Sequence, residues 1–168
     1  FSANGSYLGL KQTTDSAGIA AFDVANAVYK VRADYLGYRF WSEETAVPVD
    51  TSIDLTIPHQ EVMITVQGQF QDDPEPLEAI KTYLFAPSGS YLGRYQFTDE
   101  SGKVFFDLPE QSYRVRADYM GRQYWSEEFS WQNTVVNIPM ADAEIPVTGG
   151  GLPMEDTRVY VYSASGSY

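Results

Sequence analysis

The chain has 168 residues, with 23 acids against 11 Lys plus Arg, one His, no Cys and a formal charge of −12. That balance speaks against nucleic acid and against an anionic membrane surface, which both select basic patches. Without Cys there is no disulfide framework, zinc–thiolate site or Cys nucleophile; His59 alone makes no His cluster, and no apolar run reaches the roughly 18 residues of a membrane helix.

Near its start the chain carries a segment that returns. Gly5 to Glu44 aligns without a gap with Gly89 to Glu128, an offset of 84 (89 − 5), and more than half of the positions are identical. Beyond the shared W-S-E-E the offset falls to 81 (138 − 57), where Ile57-Pro58 matches Ile138-Pro139. A third copy opens where Arg158 to Tyr168 matches Lys81 to Tyr91. Units of about 80 residues have the size of a small domain. This spacing divides the chain into residues 1–59, a unit lacking its first strands; 60–143, a complete unit; and 144–168, the first two strands of a third.

In the middle unit, short alternating runs dominate over helical periodicity. Val62, Ile64 and Val66 mark a first strand. After a loop over Gln67 to Glu78, Ala79 to Ala86 reads as a second, with Thr82 and Leu84 inward. A third runs from about Tyr91 to Thr98, and Asp99 to Gly102 makes a turn. Val104 to Leu108 is a fourth strand and Ser112 to Tyr119 a fifth. In the fifth, Tyr113, Val115, Ala117 and Tyr119 share one face, and Arg114, Arg116 and Asp118 the other. Gln123 to Glu127 and Thr134 to Met140 complete seven. The expected fold class is all-β: tandem seven-stranded, antiparallel Greek-key β-sandwich repeats.

The stretches Pro76 to Phe85, Thr98-Asp-Glu-Ser-Gly102, Val104 to Pro109 and Tyr113 to Ala117 resemble the carboxypeptidase regulatory-like domains, which have a prealbumin-like (transthyretin-like) sandwich. The first unit repeats most of them. The resemblance implies a non-catalytic surface module, often in tandem on secreted proteins. A neighbouring group, the Cna B-type pilin domains, forms Lys–Asn isopeptide crosslinks. Against that chemistry here, Lys81 is replaced by Arg158 in the third copy, and Asn137 has no counterpart in the first.

No catalytic constellation is present: there is no G-x-S-x-G elbow, and His59 is not repeated at Met140. Asp72, Asp73, Glu75 and Glu78 are the candidate Ca²⁺ ligands. Calcium needs six to eight oxygens, no stretch has EF-hand spacing, and a solvated acidic loop accounts for the same residues, so no cofactor is expected. Asp15 and Asp99 are read as turn formers. Trp41 and Trp125 are read as packing residues, and Arg32–Asp34 and Arg116–Asp118 as cross-strand pairs. Tyr83 and Phe85 make their strand apolar on both faces, as do Phe1, Tyr160 and Tyr162 in the other copies, and such strands are usually covered on both faces.

The expected contact residues between units or copies are therefore Phe1, Tyr83, Phe85, Ile145, Val147, Val159, Tyr160, Val161 and Tyr162. Residues 144–168 carry the strand pair the first unit is missing. The expectation is an extracellular structural protein: a surface fibre or adhesin stalk built from copies or further repeats of itself, head to tail, with strand complementation. The second reading is a surface module that binds glycans through exposed Tyr and Trp.

Overall fold

The computed structural model describes residues 1–50, 52–70 and 73–162, and it is all-β. The chain forms two compact units, Phe1–Pro58 and the chain from His59 onward.

In the first unit, β1 (Ala27–Tyr29) pairs with β4 (Thr45–Val47), and β2 (Arg32–Tyr35) pairs with β3 (Tyr38–Trp41). These are two short ribbons. Ser42 is the single buried residue among the described residues of this unit.

The second unit is a sandwich. One sheet holds β5 (His59–Phe70), β6 (Asp73–Pro76), β9 (Lys103–Pro109) and β12 (Thr134–Met140). The other holds β7 (Lys81–Phe85), β8 (Tyr91–Phe97), β10 (Arg114–Tyr119) and β11 (Arg122–Trp125), in the order β11-β10-β7-β8. After β8 the chain crosses to β9 and returns to lay β10 beside β7, a Greek-key path. A two-residue hairpin of β13 (Thr148–Gly149) and β14 (Leu152–Pro153) follows.

Alternation explains the core. Val62, Ile64, Val66, Leu108, Val136 and Ile138 from one sheet and Thr82, Leu84, Tyr113, Val115 and Ala117 from the other have no exposed surface. Each large aliphatic side chain so buried contributes about 1.5–3 kcal/mol. The polar groups among them are satisfied. Thr82 Oγ1 donates to Gln96 O (2.9 Å), Thr98 Oγ1 donates to Leu77 O (2.6 Å), and the Tyr113 hydroxyl donates to Pro109 O (3.0 Å).

All seven expected strands are present, with two differences. The stretch read as a loop is a hairpin: β5 continues to Phe70, and β6 folds back on it from Gln67↔Pro76 to Phe70↔Asp73. Pro74 and Pro76 suggest a break, but an edge strand tolerates residues without a donor. The sandwich is also not wholly antiparallel. β12 runs parallel to β5, from Thr134↔Ile64 to Met140↔Phe70.

The repeated T-D-x-x-G is a turn in both units. Asp99 Oδ1 accepts from the Ser101 and Lys103 amides (2.9 Å each), and Asp15 Oδ1 accepts from those of Ala17 (2.8 Å) and Ile19 (3.0 Å). The Lys103 amide first, then the Ser101 hydroxyl, hold the Asp99 carboxyl below its ordinary pKa. Gly102 (φ +70°) lies against the sheet, where a Cβ would come within 2.6 Å of Val66 O.

Candidate functional site

With Thr82 and Leu84 inward, alternation turns Lys81, Tyr83 and Phe85 of β7 to the outer face of the sheet. Arg114, Arg116 and Asp118 of β10 point the same way. Cross-strand register sets Phe97 opposite Lys81, Tyr95 opposite Tyr83, Tyr91 opposite Phe85 and Trp125 opposite Arg116. Four strands thus assemble six rings and three cations on one surface.

The rings and cations interleave. Lys81 Nζ lies 4.1 Å from the Tyr95 ring centre and 4.9 Å from that of Tyr83. The Arg116 guanidinium lies 4.6 Å from Tyr83 and 5.2 Å from Phe85, and that of Arg114 lies 5.1 Å from Trp125. Phe85 and Trp125 meet edge to face at 4.8 Å. Hydrogen bonding with the Tyr83 side chain holds the Lys81 ammonium above its ordinary pKa.

These contacts account for the strand that is apolar on both faces. Phe85 is 7% exposed and Tyr83 half-buried, covered by Arg116 and by rings of their own unit. Trp125 packs on this outer face, not in the core, and stays 36% exposed. Tyr91 (47%), Tyr95 (51%) and Phe97 (58%) are exposed beside it. Glu127 and Glu128 are exposed at the bulge opposite Arg114, and Asp118 is paired with Arg116 (Nε–Oδ1 2.8 Å, Nη2–Oδ2 3.0 Å). That pair runs along one strand and does not cross between strands as expected; Arg32 and Asp34 do the same (Nε–Oδ1 2.7 Å). Lys81 and Arg114 make no ion pair among the described residues.

The repeat reproduces the centre of this cluster in the first unit, at positions 84 lower (85 − 1). Phe1 meets Trp41 at 4.6 Å and Tyr7 at 5.2 Å, where Phe85 meets Trp125 at 4.8 Å and Tyr91 at 5.4 Å. Arg32 stands 5.2 Å from Phe1 and 5.8 Å from Trp41; Arg116 stands 5.2 Å from Phe85 and 5.9 Å from Trp125. Trp41 is 48% exposed. The buried serine of W-S-E-E is likewise reproduced. Ser126 Oγ accepts from the Val115 amide (2.9 Å) and donates to Glu127 O (2.7 Å); Ser42 Oγ accepts from Val31 (2.9 Å) and donates to Glu43 O (2.8 Å).

The remaining sequence candidates lie elsewhere. Ile145, Val159, Tyr160, Val161 and Tyr162 are exposed (48–76%) and Val147 is half-buried. Asp73 and Glu75 sit on β6 with Glu78 just beyond, and Asp72 lies outside the described residues. No group of three His, Asp or Glu able to hold a metal occurs among the described residues. Asn137 accepts from Gln67 Nε2 (2.8 Å) on the outer face of the other sheet. The core separates it from Lys81, so the two cannot form an isopeptide pair.

Sequence reading placed Tyr83 and Phe85 together but missed Lys81, Arg114, Tyr91, Tyr95, Phe97 and Trp125 as parts of the same surface. The available signal was the identity between copies of outward residues, Tyr7/Tyr91, Arg32/Arg116, Asp34/Asp118 and Trp41/Trp125. Packing of the two sheets does not require them.

Among the described residues no helix is long and apolar enough to cross a membrane. No family model and no curated protein matches the chain, so the resemblance to carboxypeptidase regulatory-like domains rests on the motifs quoted above. Among solved structures the chain is similar to the minor pilin of Streptococcus agalactiae, at 13% identity and a TM-score of 0.40, over 80% of this chain and 70% of that one.

Proposed function

We propose that this is a non-catalytic, extracellular structural protein of the carboxypeptidase regulatory-like type, whose units stack head to tail in a surface fibre or adhesin stalk. One observation carries the reading. Phe22 is 38% exposed, whereas its counterpart Phe106, on β9 beside Val62 of β5, is 2% exposed. Residues 1–58 hold no counterpart of β5, and residues 143–149 carry its pattern, with Ala143, Ile145 and Val147 at the places of Val62, Ile64 and Val66. Residues 158–162 carry that of β7 in the same way.

Strand addition by such a segment, from a neighbouring copy or from a further repeat of the same chain, would supply partners of this kind. In the register of the second unit, Ile145 then faces Ala20 as Ile64 faces Val104, and Val161 faces Val31 as Leu84 faces Val115. The acceptor and donor surfaces differ, so the contact is heterologous and propagates as an open chain.

The test is sedimentation and negative-stain microscopy over a range of concentrations. The chain is expected to form rods that lengthen with concentration, and the variant Ile145→Asp/Val161→Asp to remain monomeric with its second unit folded. A wild-type chain that stays monomeric at every concentration overturns the reading.

A further inference from the structure

The outer face of the β11-β10-β7-β8 sheet is not consumed by strand addition, which uses the backbone edges of the first unit. We propose that this face binds an acidic polysaccharide, with its rings stacking on sugar faces and its cations pairing with carboxylate or sulfate groups.

Three observations carry this. The first is segregation. The opposite outer face of the same sandwich presents Met63 and Val135 among Thr65, Gln67, Lys103, Asp107 and Asn137, and Phe105 as its one Phe, Tyr or Trp ring among the described residues of these strands. Exposed rings concentrated on one of two equivalent surfaces mark a contact surface.

The second is charge. In a chain of net charge −12, this face gathers Lys81, Arg114 and Arg116, with Asp118 on β10 and Glu127-Glu128 exposed where the chain bulges opposite Arg114. Asp118 is ion-paired with Arg116, and Lys81 and Arg114 make no ion pair within 4.0 Å among the described residues. Lys81 stands opposite Asp118 and Arg114 opposite Phe85, four residues along the ladder. The two cations are therefore about 13 Å apart along the strands, with Tyr83 and Phe85 between them. An extended polymer with spaced anionic groups matches that layout. A small anion does not, because the surface has no enclosure to strip its water.

The third is repetition. The ring–guanidinium centre recurs around Phe1, Arg32 and Trp41 with matching distances, although packing of the two sheets does not demand it. Rings answer the flat C–H faces of pyranose units, which an acidic peptide lacks, and a peptide would be read through backbone edges instead of this face.

The experiment is titration of the intact chain with polygalacturonate, dextran sulfate and neutral dextran, followed by tryptophan fluorescence and calorimetry at two salt concentrations. Binding to at least one acidic polymer is expected, weakened by salt and at least tenfold tighter than to neutral dextran. Lys81→Gln/Arg114→Gln and, separately, Trp125→Ala are each expected to weaken it by about tenfold, with melting temperature checked for both. The proposal fails if no acidic polymer binds, if neutral dextran binds equally, or if neither variant changes affinity. It also fails if the Lys81→Gln/Arg114→Gln variant abolishes rod formation instead, which makes the face a contact between copies. Rod formation with no polysaccharide binding sinks this proposal and leaves the structural reading standing; binding by a permanent monomer does the reverse.

Discussion

Ser126 shows how much a single repeated residue can carry. Its hydroxyl is buried, accepts from the Val115 amide and donates to Glu127 O, so it closes the ladder where β10 and β11 part. Ser126→Ala removes both bonds and strands the Val115 amide in the core. A loss of about 1–3 kcal/mol follows, measurable as a lower denaturant midpoint with an unchanged slope. The equivalent Ser42→Ala should cost less, because little around it is buried. In the sequence this serine was visible as part of W-S-E-E but not interpretable. Its role depends on a backbone group eleven residues away, and only the fold brings the two together.

Elements with local causes were the legible ones. The alternation of Tyr113, Val115 and Ala117 against Arg114 and Arg116 specifies β10 with no reference to the rest of the chain. The turn that follows is equally local: Met120 (φ 46°) and Gly121 (φ 71°) form a two-residue hairpin between Tyr119 and Arg122, with left-handed backbone at both positions. Leu36 (φ 48°) and Gly37 (φ 76°) repeat it. Methionine is strained in that region and here is 78% exposed, so it gains nothing from packing. Met120→Asn is expected to stabilise the second unit by about 0.5–1 kcal/mol, read as a higher melting temperature. Elements with remote causes were not legible. Residues 19–25 carry the sequence of β9 but form no strand, since β9 owes its ladder to β5 and residues 1–58 supply no equivalent. The face of rings and cations was missed for a related reason. Each strand announces which side its rings occupy, but the register that sets Trp125 beside Arg116 and Phe97 beside Lys81 is a property of pairs of strands.

For the whole molecule, burial is distributed unequally. The second unit has a continuous two-sheet core, while the described residues of Phe1–Pro58 bury only Ser42. Stability should be partitioned accordingly. In dilute solution, amide exchange in the first unit is expected to be fast, with that in β5, β9 and β10 slowed to the global unfolding rate. Limited proteolysis should then leave a folded fragment beginning near His59. Equal protection of both units at dilution would show that the first unit has a core of its own, contrary to the proposed need for added strands.

The parallel pairing of β12 with β5 has a mechanical consequence. The chain enters the sandwich at His59 and leaves it at Met140, on neighbouring strands that run in the same direction. Tension applied across the unit therefore pulls these strands past each other lengthwise and loads the ladder between Ile64 and Phe70 in shear. Its hydrogen bonds must yield together and cannot be peeled away singly, so the unit resists stretching most along the line by which neighbours would pull on it.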